Sequence, residues 1–133
     1  MIDYKYIKEL VEKKSDIEDI GIKSRKTFIR DCRYVYAKLC FKYIVNFGSE
    51  KCGKEINRDH STVLHALKVF KRDYKTEYFS ANLIYESCDL KLKSLRMKEM
   101  NKANSKSIIA LDLIIEECQN LKRTYLGILN IKE

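Results

Sequence analysis

The segment Ile56-Asn57-Arg58-Asp59-His60-Ser61-Thr62-Val63-Leu64-His65-Ala66-Leu67-Lys68 decides how this chain is read. Asn57 suits a tight turn, because asparagine tolerates the left-handed backbone. A helix is predicted to begin near Arg58 or Asp59. Along it Val63, Leu67, Phe70 and Tyr74 step by four, three and four, so they face a core. Ser61, His65, Lys68 and Arg72 gather on the opposite side, which is polar and basic. Just upstream, Gly48 ends one helix, Ser49 can cap the next, and residues 50–56 form a short helix before the turn. A short helix, a turn of three or four residues and a longer helix with an outward basic face make a helix-turn-helix.

Working outward, residues 28–46 predict a long helix. Its apolar set is Phe28, Cys32, Val35, Tyr36, Leu39, Cys40, Tyr43, Ile44 and Phe47, a wide stripe for burial, with Arg30, Arg33, Lys38 and Lys42 on the remaining faces. Residues 22–27 (IKSRKT) form a basic, polar arm before it. Residues 2–14 predict a first helix with Tyr6 or Ile7, Leu10 and Val11 inward. Ser15-Asp16-Ile17-Glu18 has the capping-box pattern, which predicts a second short helix ending near Gly21. Downstream, residues 76–104 are helical at first and then polar through Asn101–Ser105, after which Ser105 or Ser107 can start a last helix. There Leu111, Ile114, Cys118, Leu121, Tyr125 and Ile128 repeat in heptad spacing, flanked by Ile108, Ile115 and Leu129. That seam fits either a hairpin folded back on the 79–99 helix or a homodimer through residues 108–129. The expected fold is all-α: a helix-turn-helix domain over 1–79 and a helical extension, hairpin or coiled coil, over 80–133.

Composition narrows the function. The 133 residues allow one domain, or one small domain with an appendage, and 45% apolar residues suffice for a core. Proline is absent and glycine numbers only 4, which favours long helices. No stretch approaches the ~20 apolar residues of a membrane span, and no basic-then-apolar signal segment opens the chain, so the expected location is cytoplasmic. Five cysteines without a close pair point to a reducing compartment, with each thiol acting as a small buried apolar group. The formal charge of +8 is unevenly spread: residues 21–79 carry fourteen Lys/Arg against six Asp/Glu, whereas residues 1–20 are net acidic. A basic patch on a compact domain points to a polyanion, most often nucleic acid.

Chemistry finds no foothold. Gly48-Ser49-Glu50-Lys51-Cys52-Gly53-Lys54-Glu55 nearly spells a phosphate-binding loop, but Glu55 stands where a magnesium-ligating hydroxyl is required, and a helix rather than a strand precedes it. His60 and His65 are five apart and diverge on a helix, so they cannot share a metal. Ser61 and its neighbour His60 diverge too, so no nucleophile–base pair forms. The expectation is a protein with no catalysis, cofactor, metal or nucleotide.

Arg58-Asp59-His60-Ser61-Thr62-Val63-Leu64-His65-Ala66 resembles, almost letter for letter, the signature of the C-terminal DNA-binding domain of DnaA, the bacterial replication initiator. The resemblance covers about residues 1–79. Ser24-Arg25-Lys26 is similar to the family's basic arm, Arg33 to Leu39 falls where its long helix carries Arg and Leu, and Cys52-Gly53 fits the Ile-Gly pair of its first helix-turn-helix helix. Departures are specific. Ile56-Asn57 replaces two glycines, one residue short; Thr27 and Asp31 stand at usually basic positions, where Asp31 would weaken a phosphate contact. The family's ATPase domain is not part of the sequence. The resemblance implies a DnaA/Trp-repressor-like bundle that binds double-stranded DNA in control of replication or transcription in a bacterium or its phage.

A recognition helix turns its first residues to base edges in the major groove. Asp59 can accept from the cytosine amino group while also capping its helix, and His60 and Ser61 can reach acceptors or a thymine methyl. Thr62 suits a phosphate or a local backbone bond. Arg25 resembles the family's minor-groove arginine. Lys26, Lys54, Arg58, Lys68 and Arg72 would neutralise phosphates, and His65 lies one turn beyond Ser61. The alternative is a helical adaptor that uses the same scaffold to bind a protein, with Glu55 and Asp31 as attractive contacts.

Overall fold

Asp3 accepts a hydrogen bond from the Tyr6 N–H at 2.7 Å and so caps α1, Tyr4–Ser15. In the computed structural model, which describes the backbone of residues 2–132 and the side chains of 2–127, four more helices follow: α2 (Thr27–Tyr43), α3 (Ser49–Glu55), α4 (His60–Asp73) and α5 (Asn82–Lys132). No strand occurs among the described residues, so the expectation of an all-α chain holds.

The expected helix over 15–21 does not form. Asp16 adopts φ 57 and reverses the chain, and the Ser15 hydroxyl turns back to the Val11 carbonyl at 2.6 Å instead of capping forward. Glu12 then accepts the Ile20 N–H at 2.9 Å, which brings Ile20, fully buried, over α1. The stretch to Thr27 is therefore irregular backbone whose polar groups need partners elsewhere.

α2 is central, packing against α1, α3 and α4. Cys32, Val35, Tyr36, Leu39 and Cys40 are fully buried along it, and the Tyr36 hydroxyl donates to the Cys52 carbonyl at 2.8 Å. Two of its residues depart from the expected pattern. Phe28, in the first turn, stays 37% exposed, and Arg33, expected on the surface, is 9% exposed. Gly48 rather than Ser49 occupies the N-cap of α3, without a side-chain bond.

The chain groups into two units, 1–93 and 94–133. The first extends past the expected boundary at 79, because Phe79, Ala81, Tyr85, Cys88 and Leu92 are all buried. Phe70 stacks on Tyr74 at 4.8 Å and meets Phe79 edge-on at 5.5 Å, so the end of α4 is closed by the segment that leads into α5. Asp31 explains itself here. It is 1% exposed and its Oδ2 accepts from both the N–H (3.0 Å) and the hydroxyl (2.7 Å) of Ser80. It is thus a buried tie between α2 and the start of α5 and does not oppose a phosphate as expected. Asp31→Ala should cost about 2–3 kcal/mol, since hydrogen bonds to a charged group are among the stronger ones and the Ser80 donors would be stranded. An unchanged urea midpoint would contradict this.

In the second unit the side chains of residues 96–127 are exposed throughout. The expected break at 101–105 is absent: helix continues across it, so the hairpin reading is overturned. Asn, Lys, Ala and Ser each cost a helix only a few tenths of a kcal/mol, and no glycine or proline lies between 82 and 126. Ser107, expected to open a helix, instead donates its hydroxyl to the Ala103 carbonyl at 3.1 Å, inside one. Ile128 and Leu129 of the seam lie outside the described side chains.

Candidate nucleic-acid interface

The approach of α3 to α4 depends on a missing methyl group. A Cβ on Gly53 would lie 2.4 Å from the Arg58 carbonyl oxygen and 3.1 Å from that of Asp59. The Gly53 carbonyl accepts from the N–H groups of Ile56 (3.1 Å) and Arg58 (2.9 Å), while Asn57, at φ 55, donates its N–H to Lys54 at 3.2 Å. The turn over 56–59 therefore closes with one left-handed residue, as the asparagine predicts, and Ile56 is buried beneath it.

Asp59 is the N-cap of α4. Its Oδ1 accepts the Thr62 N–H at 2.9 Å and the Thr62 hydroxyl at 2.8 Å. These bonds, the backbone one foremost, hold its carboxyl below the usual range. Among the described residues its Oδ2 has no hydrogen-bond partner. Thr62 has thus taken the local bond, with the Asp59 side chain as acceptor. Asp59, His60, Ser61 and Thr62 are all exposed, and Val63, Ala66 and Phe70 on the other side of α4 are buried. His65 is exposed and meets Tyr34 edge-on at 6.4 Å, and Lys68 is exposed on the same face. Arg72 projects into solvent but is doubly bonded to Asp73 (2.8 and 3.0 Å), which offsets much of its charge. Lys54 is exposed on α3, next to the exposed Glu55.

The irregular stretch before α2 is held by two guanidinium groups. Arg33 donates from Nε to the Ile20 carbonyl at 2.7 Å and from Nη2 to Ile22 at 3.1 Å and Ser24 at 2.9 Å. Arg58 donates from Nη1 to Gly21 at 3.2 Å, to Ile56 at 3.1 Å and to Asn57 at 3.0 Å, and from Nη2 to Ile22 at 2.9 Å. Expected on a phosphate, Arg58 is committed to these carbonyls and joins the arm to the turn. Burial, and then the nearby Arg58 charge, lower the Arg33 pKa, yet a guanidinium stays protonated at neutral pH. Arg25 and Lys26 are exposed on the arm so fixed. Lys23, Ser24, Arg25, Arg33, Asn57 and Arg58 line one open hollow with no acidic residue in its wall.

Arg25 is therefore brought beside the turn that precedes α4, whereas Lys68 and Arg72 stand further along that helix. Arg33 was missed by sequence reasoning as part of this region, whereas Lys23 falls within the expected basic arm over 22–27. A signal for Arg33 existed: Arg33, Ala37 and Cys40 step by four and three and are all buried, so the stripe on α2 is wider than its apolar members alone.

Among the described residues no cluster of His, Cys, Asp or Glu could hold a metal, and no helix is long and apolar enough to cross a membrane. No family model, no curated protein and no solved structure matches the chain.

Proposed function

We propose that this protein binds double-stranded DNA sequence-specifically and without catalysis, using α3 and α4 as a helix-turn-helix of the DnaA and Trp-repressor type, in the control of bacterial or phage replication or transcription. The observation that carries this reading is the exposed first turn of α4, Asp59 to Thr62, on a helix whose opposite face is packed in the core. A recognition helix needs that division: a rigid back and an uncovered N-terminal turn that enters the major groove. The Oδ2 of Asp59 is left for a cytosine amino group while Oδ1 caps the helix, and His60 and Ser61 flank it. The basic arm supports the reading from a second side, since Arg25 beside an acid-free hollow suits the negative potential of a minor groove. Lys26, Lys54 and Lys68 are the phosphate contacts, with Arg72 a weaker one because of Asp73, and Arg58 acts by holding arm and turn together.

Burial of Asp31 weakens the adaptor alternative, because only Glu55 of its two acids remains exposed.

Selection from random duplex DNA should enrich one AT-rich site resembling the DnaA nonamer. On that site Asp59→Asn, which still caps a helix, should lower discrimination at one base pair by about tenfold. His60→Ala should relax an adjacent position. Lys68→Ala should weaken all duplexes alike and reduce the log–log salt slope by about one. Equal affinity for all duplexes, or binding indifferent to salt, would sink the proposal.

A further inference from the structure

We propose that the helix beyond Lys93 is a self-association element through which two copies of this chain pair parallel and in register. The described residues of the second unit form a helix, and the described side chains from 96 to 127 have no core of their own. Between Met97 and Leu126, eleven large apolar side chains are exposed by 47% to 70%. A helix in water draws most of its stability from burying an apolar face; here Met97, Met100, Leu111, Ile114, Leu121 and Tyr125 share one, while Ile109, Leu113 and Leu126 lie off it.

What covers it follows from register. With Leu111, Cys118 and Tyr125 at heptad position a and Ile114 and Leu121 at d, the same count runs upstream, through the polar Ser107 at d, to Met100 at d and Met97 at a. The frame puts Asn104 at an a position. One asparagine there costs stability when opposed to an aliphatic residue, and is satisfied when it faces its own copy, which fixes strand alignment and favours two strands.

Charge selects the orientation. Glu117 falls at position g and Lys122 at e of the next heptad. In a parallel pair, g of one strand meets that e of the other, so Glu117 of each copy lies against Lys122 of its mate, twice per dimer. An antiparallel pair sets g against g and e against e, and brings two Glu117 or two Lys122 together. The Leu111–Ile114 layer with Ile115 beside it would by itself suit a wider bundle. Asn104 and the charged Glu117 and Lys122 edge decide for two strands, since a wider bundle buries those edges.

Cys118 supplies the readout. It is exposed, while Cys32, Cys40, Cys52 and Cys88 are buried, and burial pushes Cys88 up to about 12 and Cys32 up to about 11. In the proposed pair, Cys118 faces Cys118 of the other copy across the seam, at the separation a disulfide spans.

The test uses the full chain and no DNA, so it stands apart from the DNA-binding reading. Light scattering at about 10 μM should give twice the 15.8 kDa mass, falling on dilution. Diamide, which takes up the two thiol hydrogens as the disulfide forms, should yield a covalent dimer that Cys118→Ser abolishes. Glu117→Lys should raise the dimer dissociation constant about tenfold, and Glu117→Lys with Lys122→Glu should restore it. Each variant is on an exposed helix face, and circular dichroism of the 1–93 fold monitors integrity. A mass of one chain, or of three or four, overturns the proposal. So does a doubled mass without the Cys118 cross-link, or a charge swap that fails to restore pairing.

Discussion

Gly53→Ala should lower the stability of the domain by about 3 kcal/mol or more, at the upper end of overpacking changes. The added methyl would sit 2.4 Å from the Arg58 carbonyl oxygen, against the 3.4 Å or more of ordinary contact, so α3 and the turn must separate by about an ångström. No rotamer relieves this, because the obstacle is backbone. That backbone is fixed by its own bonds: the Arg58 N–H reaches back to the Gly53 carbonyl at 2.9 Å, and the Arg58 side chain is tied to four carbonyls. Separation would break the first and strain the others. Two of the other glycines, Gly21 and Gly48, provide a graded control. A Cβ on Gly21 meets the Asp19 Oδ1 at 3.1 Å and the Ile56 backbone at 3.2 Å, so Gly21→Ala should cost less, and a Cβ on Gly48 meets only the Tyr4 hydroxyl at 4.0 Å. Urea unfolding followed by circular dichroism should rank the three in that order, with Gly53→Ala unfolded or nearly so at 37 °C. A Gly53→Ala midpoint equal to that of the parent would mean that α3 and α4 are not so closely apposed. If the variant folds at lower temperature, sequence discrimination on DNA should fall more than total affinity, since the lysines are untouched while the first turn of α4 is displaced.

Which parts of this architecture were legible depends on how many neighbours each decision needs. The stripe of α2 and the inward face of α4 follow from periodicity along one helix, and Asn57 marks the turn by its own backbone tolerance. The two misplaced elements are cases where a local signal had a local competitor. Ser15 carries a capping-box pattern, but its hydroxyl is captured by the Val11 carbonyl of the helix already formed, and Asp16 turns the chain away. Residues 101–105 look like a linker because they are polar, yet polarity does not end a helix without glycine, proline or a competing cap. Asp31 and Arg33 required three-dimensional knowledge. Asp31 finds its partner at Ser80, 49 residues away, and Arg33 finds three carbonyls, that of Ile20 in the stretch expected to be helical and those of Ile22 and Ser24 in the arm. None of these partners lies within one helical turn, so periodicity along α2 identifies none of them. At the candidate interface the first turn of α4 was legible from its nine-residue motif, whereas the device that aims the arm was not, since it joins backbone oxygens that carry no mark in the sequence.

Arg33→Ala should cost about 3 kcal/mol and release the arm. Its side chain is 9% exposed; the carbonyls of Ile20 and Ser24 would lose this donor, and that of Ile22 would keep only Arg58. A buried acceptor left unpaired costs roughly 1–3 kcal/mol; water can reach part of this irregular segment, which keeps the sum below two full penalties. Arg33→Lys should recover less than half. The planar fork spans three oxygens with two nitrogens in fixed relation, whereas a lysine ammonium is a point donor on a flexible stem. Arg58→Ala should be milder, because it removes only two bonds to the arm, at Gly21 and Ile22, and relieves the charge that Arg33 feels from it. The Ile22 carbonyl accepts from both arginines, so the pair should couple: once either side chain is gone the arm is loosened, and removing the second costs less than it would alone. A double-mutant cycle in urea reads that coupling, and additive losses would mean that the two guanidinium groups hold independent segments. On DNA the same variants should act through Arg25. With the arm released, Arg25→Ala should have little further effect, whereas in the parent it should weaken binding by about tenfold. An Arg25→Ala effect of equal size in both backgrounds would show that Arg33 stabilises the fold without positioning the arm.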